Sequence, residues 1–301
     1  MSAAWPTAGA LMAKDPVTVA HDALLSHALG KMSTGALHEM PVLRGSKLMG
    51  MITFESIARR ANLSFSTKVE HLLLIPPLVT PATPYPELAE QLLATGLRAA
   101  PVVGRRGELL GVVSRTDLVR AFPDLRQIPD HRVDEISRSI GHPFHESDPI
   151  RQLLAQIRLL EEHPLPVLDR KGRLVGAVGV SDLARVLWRP TVGGKRDAEK
   201  GGSVYDVEIG TIMHSPAVTV PAGTSAVEAA RRMTRENVSS VFVVDPTGPT
   251  AVVAQTDLLG LAVGSASAQG DRLGDGLRPD HGPARFERPH HADRDRPFGR
   301  R

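Results

Sequence analysis

The residues best equipped for chemistry in this 301-residue chain are Ser114 and Asp117, within Gly111-Val112-Val113-Ser114-Arg115-Thr116-Asp117-Leu118. A hydroxyl followed three positions later by a carboxylate can close a capping box at a helix start, each side chain serving the other residue's backbone N–H. The helix dipole favours a carboxylate in that first turn. The same pair can also accept hydrogen bonds from a ligand, each contributing about 1.5–3 kcal/mol when the acceptor is charged. The spacing alone is compatible with both roles.

Degraded copies of this stretch begin at Gly50, Gly176 and Ala251, so the element that carries Asp117 recurs every ~60–75 residues. Each copy reads as a buried strand running into a helix. In the first repeat a short strand at Asp15–Val19 precedes an amphipathic helix over about 22–32, whose apolar face is Leu24, Leu25, Ala28, Leu29 and Met32. Strands at Met40–Leu43 and Leu48–Ile52 follow, and Phe54–Ala61 is the closing helix. The last core residue of the first helix precedes the second strand by the same offset four times: Met32 to Pro41, Leu92 to Pro101, Ile157 to Pro166 and Met233 to Phe242. A unit this small exposes an apolar face that it cannot bury alone, so neighbouring units must pair.

Composition narrows the function classes. There is no cysteine, which excludes disulfides, thiolate metal sites and a cysteine nucleophile. Residues 1–14 lack the apolar run of a signal peptide, and the longest apolar stretch, 72–79, is broken by Pro76 and Pro77. A soluble, cytoplasmic protein with no membrane partner is expected. The net charge is +3. Much of the excess lies in residues 265–301, with eight Arg against six acidic residues. A mixed-sign, Pro/Gly/His-rich segment reads as a solvated tail rather than a nucleic-acid site. Gly193-Gly194-Lys195 and Lys200-Gly201-Gly202 lack P-loop spacing and read as a flexible linker. Pro143 separates His142 from His145, and no metal site is expected. No Gly-x-Ser-x-Gly elbow or paired-carboxylate constellation is present, so no enzyme is expected.

The repeated element order, the apolar-Pro-Val second strand and the Gly-apolar-apolar-Ser/Thr-x-x-Asp ending resemble the cystathionine-β-synthase (CBS) domain family. Four such repeats fall at 11–66, 67–129, 130–190 and 207–263, with a leader at 1–10, a linker at 191–206 and a disordered basic tail at 264–301. The resemblance implies an α/β (α+β) fold of four βαββα repeats, paired into two Bateman modules that can stack as a disk within one molecule or across a homodimer. It also implies clefts for an adenosine-type regulatory ligand, either AMP, ADP, ATP or S-adenosylmethionine, with no tightly bound cofactor.

Carried over by position, Asp117 would accept both ribose hydroxyls and Ser114 would add a hydroxyl. Arg98 and Arg115 would meet phosphate, and Val79 and Thr80 would line the base slot. Repeat 3 keeps Asp182, beside Ser181, but has Gly179 at the hydroxyl position. Repeat 4 keeps Asp257, beside Thr256, but has Ala254 there. Repeat 1 has Thr53, with Ser56 where the carboxylate belongs. His38 and His163 precede the second strands of their repeats, where the family places cleft-facing groups. The implied function is a stand-alone, non-catalytic sensor that signals ligand occupancy to a regulated protein. The alternatives are a ligand-free interaction scaffold, or a nucleic-acid-binding protein that uses its basic tail.

Overall fold

The computed structural model describes residues 4–35, 37–58, 63–77, 79–140, 143–155, 164–179, 182–183 and 206–273. After α1 (Ala8–Leu11), repeat 1 contains β1 (Val19–Ala20), α2 (Leu25–Thr34), β2 (Glu39–Arg44), β3 (Lys47–Thr53) and α3 (Phe54–Ala58). Repeat 2 contains α4 (Tyr85–Thr95), β4 (Ala99–Val103), β5 (Leu109–Ser114) and α5 (Arg115–Ala121). α6 (Val133–Ile136) and β6 (Arg138–Ser139) lead to repeat 3, with β7 (Phe144–His145), α7 (Ile150–Ala155), β8 (Leu165–Leu168) and β9 (Leu174–Val178). Repeat 4 contains β10 (Thr219–Pro221), α8 (Ala226–Glu236), β11 (Ser240–Asp245), β12 (Gly248–Ala254) and α9 (Gln255–Leu273).

The duplication extends to individual hydrogen-bond partners. The residue after the second-strand proline, or after Phe242 in repeat 4, pairs in parallel with the first strand every time: Val42 with Val19, Val102 with Val79, Val167 with Phe144 and Val243 with Thr219's neighbour Val220. The following hairpin is antiparallel, pairing Pro41 with Met51, Pro101 with Val112, Pro166 with Ala177 and Phe242 with Val252. The register slips at one shared position, after Val42, Val102, Val167 and Val243. A bulge kept in four copies fixes which side chains reach the inner face.

The segments preceding the repeats are exchanged. Residues 6–13 run along repeat 2: Tyr85 N donates to Pro6 O, Ala8 N to Thr83 O, and Ala13 and Val112 exchange backbone hydrogen bonds. Trp5 stacks on Tyr85 with ring centroids 6.1 Å apart. In return, residues 68–74 dock on repeat 1, where Leu74 pairs with Met51. The second pair behaves alike. β6 adds to the repeat 4 sheet, and His214 pairs with Ala177 of repeat 3. The recurrent glycine has its reason here. A Cβ at Gly111 would lie 2.6 Å from Ala13 O, and one at Gly50 would lie 2.7 Å from Leu74 O, so a side chain would push the exchanged strap off the sheet.

These straps correct several expectations. Part of the segment expected as a leader at 1–10 docks on repeat 2, where Ala8 is fully buried in the core. Leu24, assigned to the apolar face of the first helix, is 45% exposed and precedes α2 as its N-cap. The expected tail start at 264 lies inside α9, which continues to Leu273.

Repeats 2 and 4 share one core. Leu88, Leu92, Leu118 and Val119 pack with Ala226, Ala229, Met233, Leu258 and Ala262, so the two modules stack through helices within one chain. Repeats 1 and 3 keep separate cores around Met32 and Ile150 respectively. All but Asp206 of the predicted linker at 191–206, and the part of the predicted tail beyond 273, lie outside the described residues.

Candidate functional site

In repeats 1, 2 and 4 the closing helix begins at the residue after the third strand ends, and that junction sets the geometry of the side chains there. In repeat 2 the capping box is complete. Asp117 Oδ2 accepts from Ser114 N at 2.9 Å and from Ser114 Oγ at 2.6 Å, while Ser114 Oγ accepts from Asp117 N at 3.2 Å. The other oxygen, Oδ1, accepts from Arg120 Nη1 at 2.9 Å. Asp182 Oδ2 takes Gly179 N at 2.8 Å, and Asp257 Oδ2 takes Ala254 N at 2.8 Å. One oxygen is therefore anchored to the same backbone N–H in all three, whether or not a hydroxyl is present. In repeat 1, Thr53 and Ser56 close the turn through their own hydroxyls.

Around these junctions lies a cavity of about 580 Å³ to which all four repeats contribute. Repeat 1 supplies His38 and Glu39, and repeat 2 supplies Arg98, Ser114, Arg115 and Asp117. Repeat 3 contributes Gly179 and Asp182, and repeat 4 contributes Ser239, Ser240 and Gln255. The volume falls within the roughly 300–1,000 Å³ of small-molecule pockets.

Buried charge crosses the seam between repeats 1 and 2. Glu39 Oε1 and Oε2 accept from the backbone N–H of Arg98 and Ala99 at 2.8 and 2.9 Å. Burial pushes the Glu39 carboxyl above the ordinary carboxylate range, and those two N–H donors oppose the shift. Burial, with Arg98 nearby, lowers His38 to about 4, and burial lowers Arg115 to about 10. The Arg115 Nη2 donates to Leu92 O at 3.0 Å, and its buried Nε has no hydrogen-bond partner. Such an orphaned donor is costly unless something occupies the adjoining space.

The sequence-predicted residues divide accordingly. Asp117, Ser114, Arg115, Arg98 and Asp182 line the cavity together. Val79 and Thr80 do not: Val79 is fully buried in the shared core, held by its pairing with Val102, and Thr80 Oγ1 bonds Thr83 Oγ1 in the turn before α4. Thr53 is buried in its own cap. Asp257 and Thr256 lie outside the cavity lining, bonded by Arg138 through Nε at 2.6 Å and Nη2 at 3.5 Å respectively. Ser181 and His163 lie outside the described residues. Sequence reading missed Glu39 and Gln255. The Gln255 Nε2 donates to Thr116 Oγ1 at 3.1 Å, tying the helix starts of repeats 4 and 2 together. No local pattern marks either contact. Among the described residues, no group of three or more His, Asp and Glu could hold a metal ion, and no helix is long and apolar enough to cross a membrane.

Four repeats of one strand-helix-hairpin order, paired by exchanged straps around a common cavity of ligand size, define a tandem-repeat protein. The chain belongs to the CBS domain family, whose CBS domain matches residues 8–62, 71–124, 141–189 and 209–264. An uncharacterized protein of Methanocaldococcus jannaschii is 28% identical over 254 residues, which is 83% of this chain and 60% of that protein. The chain thus spans less than two thirds of that relative's length. A CBS domain-containing protein of Dictyostelium discoideum is 30% identical over 109 residues, 33% of this chain and 74% of that one. Among solved structures, a Methanocaldococcus jannaschii protein described as a candidate archaeal homologue of γ-AMPK is similar, with a TM-score of 0.70 at 19% identity, covering 84% of this chain and 99% of that chain. A conserved protein of Pyrococcus horikoshii has a TM-score of 0.60 at 20% identity, over 85% and 100% of the two chains. At these identities the structural likeness concerns the fold.

Proposed function

We propose that this chain is a non-catalytic regulatory protein that binds an adenosine-type nucleotide in the central cavity and transmits occupancy to a partner protein. Family membership and the candidate γ-AMPK homologue among its structural relatives agree with this reading. The observation that carries it is the convergence of Asp117 and Asp182 with Arg98, Arg115 and His38 in one cavity. A carboxylate held by its helix start suits a vicinal diol, and a guanidinium suits phosphate. A ligand touching more than one repeat biases the arrangement of the modules by its differential affinity for the arrangements available.

A thermal-shift panel of AMP, ATP and S-adenosylmethionine on wild type and Asp117→Ala tests this. Ligand at a hundred times its Kd stabilises by about 2.7 kcal/mol. The wild-type melting temperature should rise and the variant should lose that rise. An unchanged rise in the variant places the ribose carboxylate in another repeat, with Asp182 next in line. No rise with any ligand at millimolar concentration leaves the scaffold reading, which the internal partners of Glu39 and Asp257 favour.

A further inference from the structure

We propose that Arg138 is a built-in occupant of the fourth cleft, which makes repeat 4 a closed nucleoside site that opens when this arginine lets go of Asp257. The inference rests on the nucleotide reading above and concerns which of the similar sites is available. The four straps meet their sheets in one register. The residue opposite Met51 is Leu74, opposite Val112 is Ala13, opposite Ala177 is His214, and opposite Val252 is Arg138. Leu74 and Ala13 carry no charge, and the His214 ring lacks the five-donor fork of a guanidinium. Only the fourth strap presents a permanent cation with a planar fork of donors.

The consequence is visible at the carboxylates. Asp117 and Asp182 line the central cavity, whereas Asp257 does not. Its side chain is 6% exposed, and Arg138 Nε bonds Oδ1, the oxygen that a ribose hydroxyl would need, at 2.6 Å. Arg138 Nη2 also reaches Thr256 Oγ1. A guanidinium so placed presents two donors to the acceptors that a diol would use, and a cation is the stronger competitor. Arg120 bonds Asp117 as well, but it comes from the same helix and leaves Asp117 on the cavity wall.

The test counts bound nucleotide. Equilibrium dialysis with labelled AMP is run on the full chain, Arg138→Ala, Arg138→Gln and Arg138→Ala/Asp257→Asn, with circular dichroism confirming the fold of each. The expected result is one more AMP per chain in both single variants, and return to the wild-type count in the double variant. Ala13→Arg provides the converse, since an arginine at the matching register of repeat 2 should reach Asp117 and remove one bound AMP. Binding by wild type with the same count in both Arg138 variants overturns the inference alone. Absence of binding in every protein overturns the nucleotide reading and this inference together. Should Arg138→Ala fail to fold, Arg138→Gln and Ala13→Arg decide the matter.

Discussion

Repeats 2 and 4 carry the same carboxylate at the same helix start, anchored to the same backbone N–H, yet they present it differently. Asp117 stands on the wall of the central cavity with Ser114 beside it, whereas Asp257 is covered by an arginine from an exchanged strap. The two repeats also share a hydrophobic core. A motif therefore locates a carboxylate, and the segment crossing over it decides what the carboxylate can meet.

The largest effect should come from attacking what the two repeats share. Leu118→Ala removes a fully buried side chain from the joint core and should cost about 3–5 kcal/mol. Calorimetry should show repeats 2 and 4 losing stability together; a transition confined to the first module would break the comparison. Next is pH, where the repeats differ because repeat 1 places His38 in the shared cavity and repeat 4 places Ser239 at the matching position. The folded pKa of His38 is about 4, below the ordinary 6.5, so the unfolded chain binds the proton more readily. Its contribution is fully present above about 6.5 and is lost as pH falls toward about 4, amounting to about 3 kcal/mol. His38→Gln should flatten that part of a denaturant-midpoint profile against pH, and an unaltered profile would assign the acid sensitivity elsewhere.

Smaller effects sharpen the contrast at the caps. Ser114→Ala should cost about 1 kcal/mol by chemical denaturation, since Asp117 N loses its acceptor. Gly179→Ser has room, because a Cβ there would meet Pro164 Cγ at 3.6 Å and Asp182 Oδ2 at 3.8 Å. It should stabilise by about 0.5–1 kcal/mol and bring repeat 3 closer to repeat 2. The tie between the repeats themselves is of similar size. A double-mutant cycle on Thr116→Val and Gln255→Leu should return a coupling of about 0.5–1.5 kcal/mol, and a value near zero would show the two helix starts to be independent.

Much of the fold was legible because a repeat writes itself into sequence. The second strands placed by the constant offset from Met32 to Pro41 and its counterparts share one hydrogen-bond register, with the bulge after the same valine, although Ile157 itself lies outside the described residues. What stayed hidden depends on contacts distant along the chain. Glu39 meets the amides of Arg98 and Ala99 about sixty positions away, and Arg138 meets Asp257 across 119. Neither partner carries a local periodicity that names the other. Residues 1–10 read as a leader because the order of this stretch is set by Thr83 and Tyr85 of another repeat. The one sequence trace of that docking was the recurrent Gly at 50, 111 and 176, whose missing Cβ leaves space for a carbonyl. Val79 was assigned to a ligand slot by position in the repeat, and its parallel pairing with Val102 buries it in the shared core instead.

The crossing of residues 4–13 onto repeat 2 and of 68–74 onto repeat 1 bears on how such a chain can be divided. A scissor cut near position 66 leaves each fragment holding the other's edge strand, so the two halves should reassociate when mixed, as a split reporter does. The smallest piece able to stand by itself is consequently a couple of repeats, and shuffling by recombination would succeed only where both members travel together.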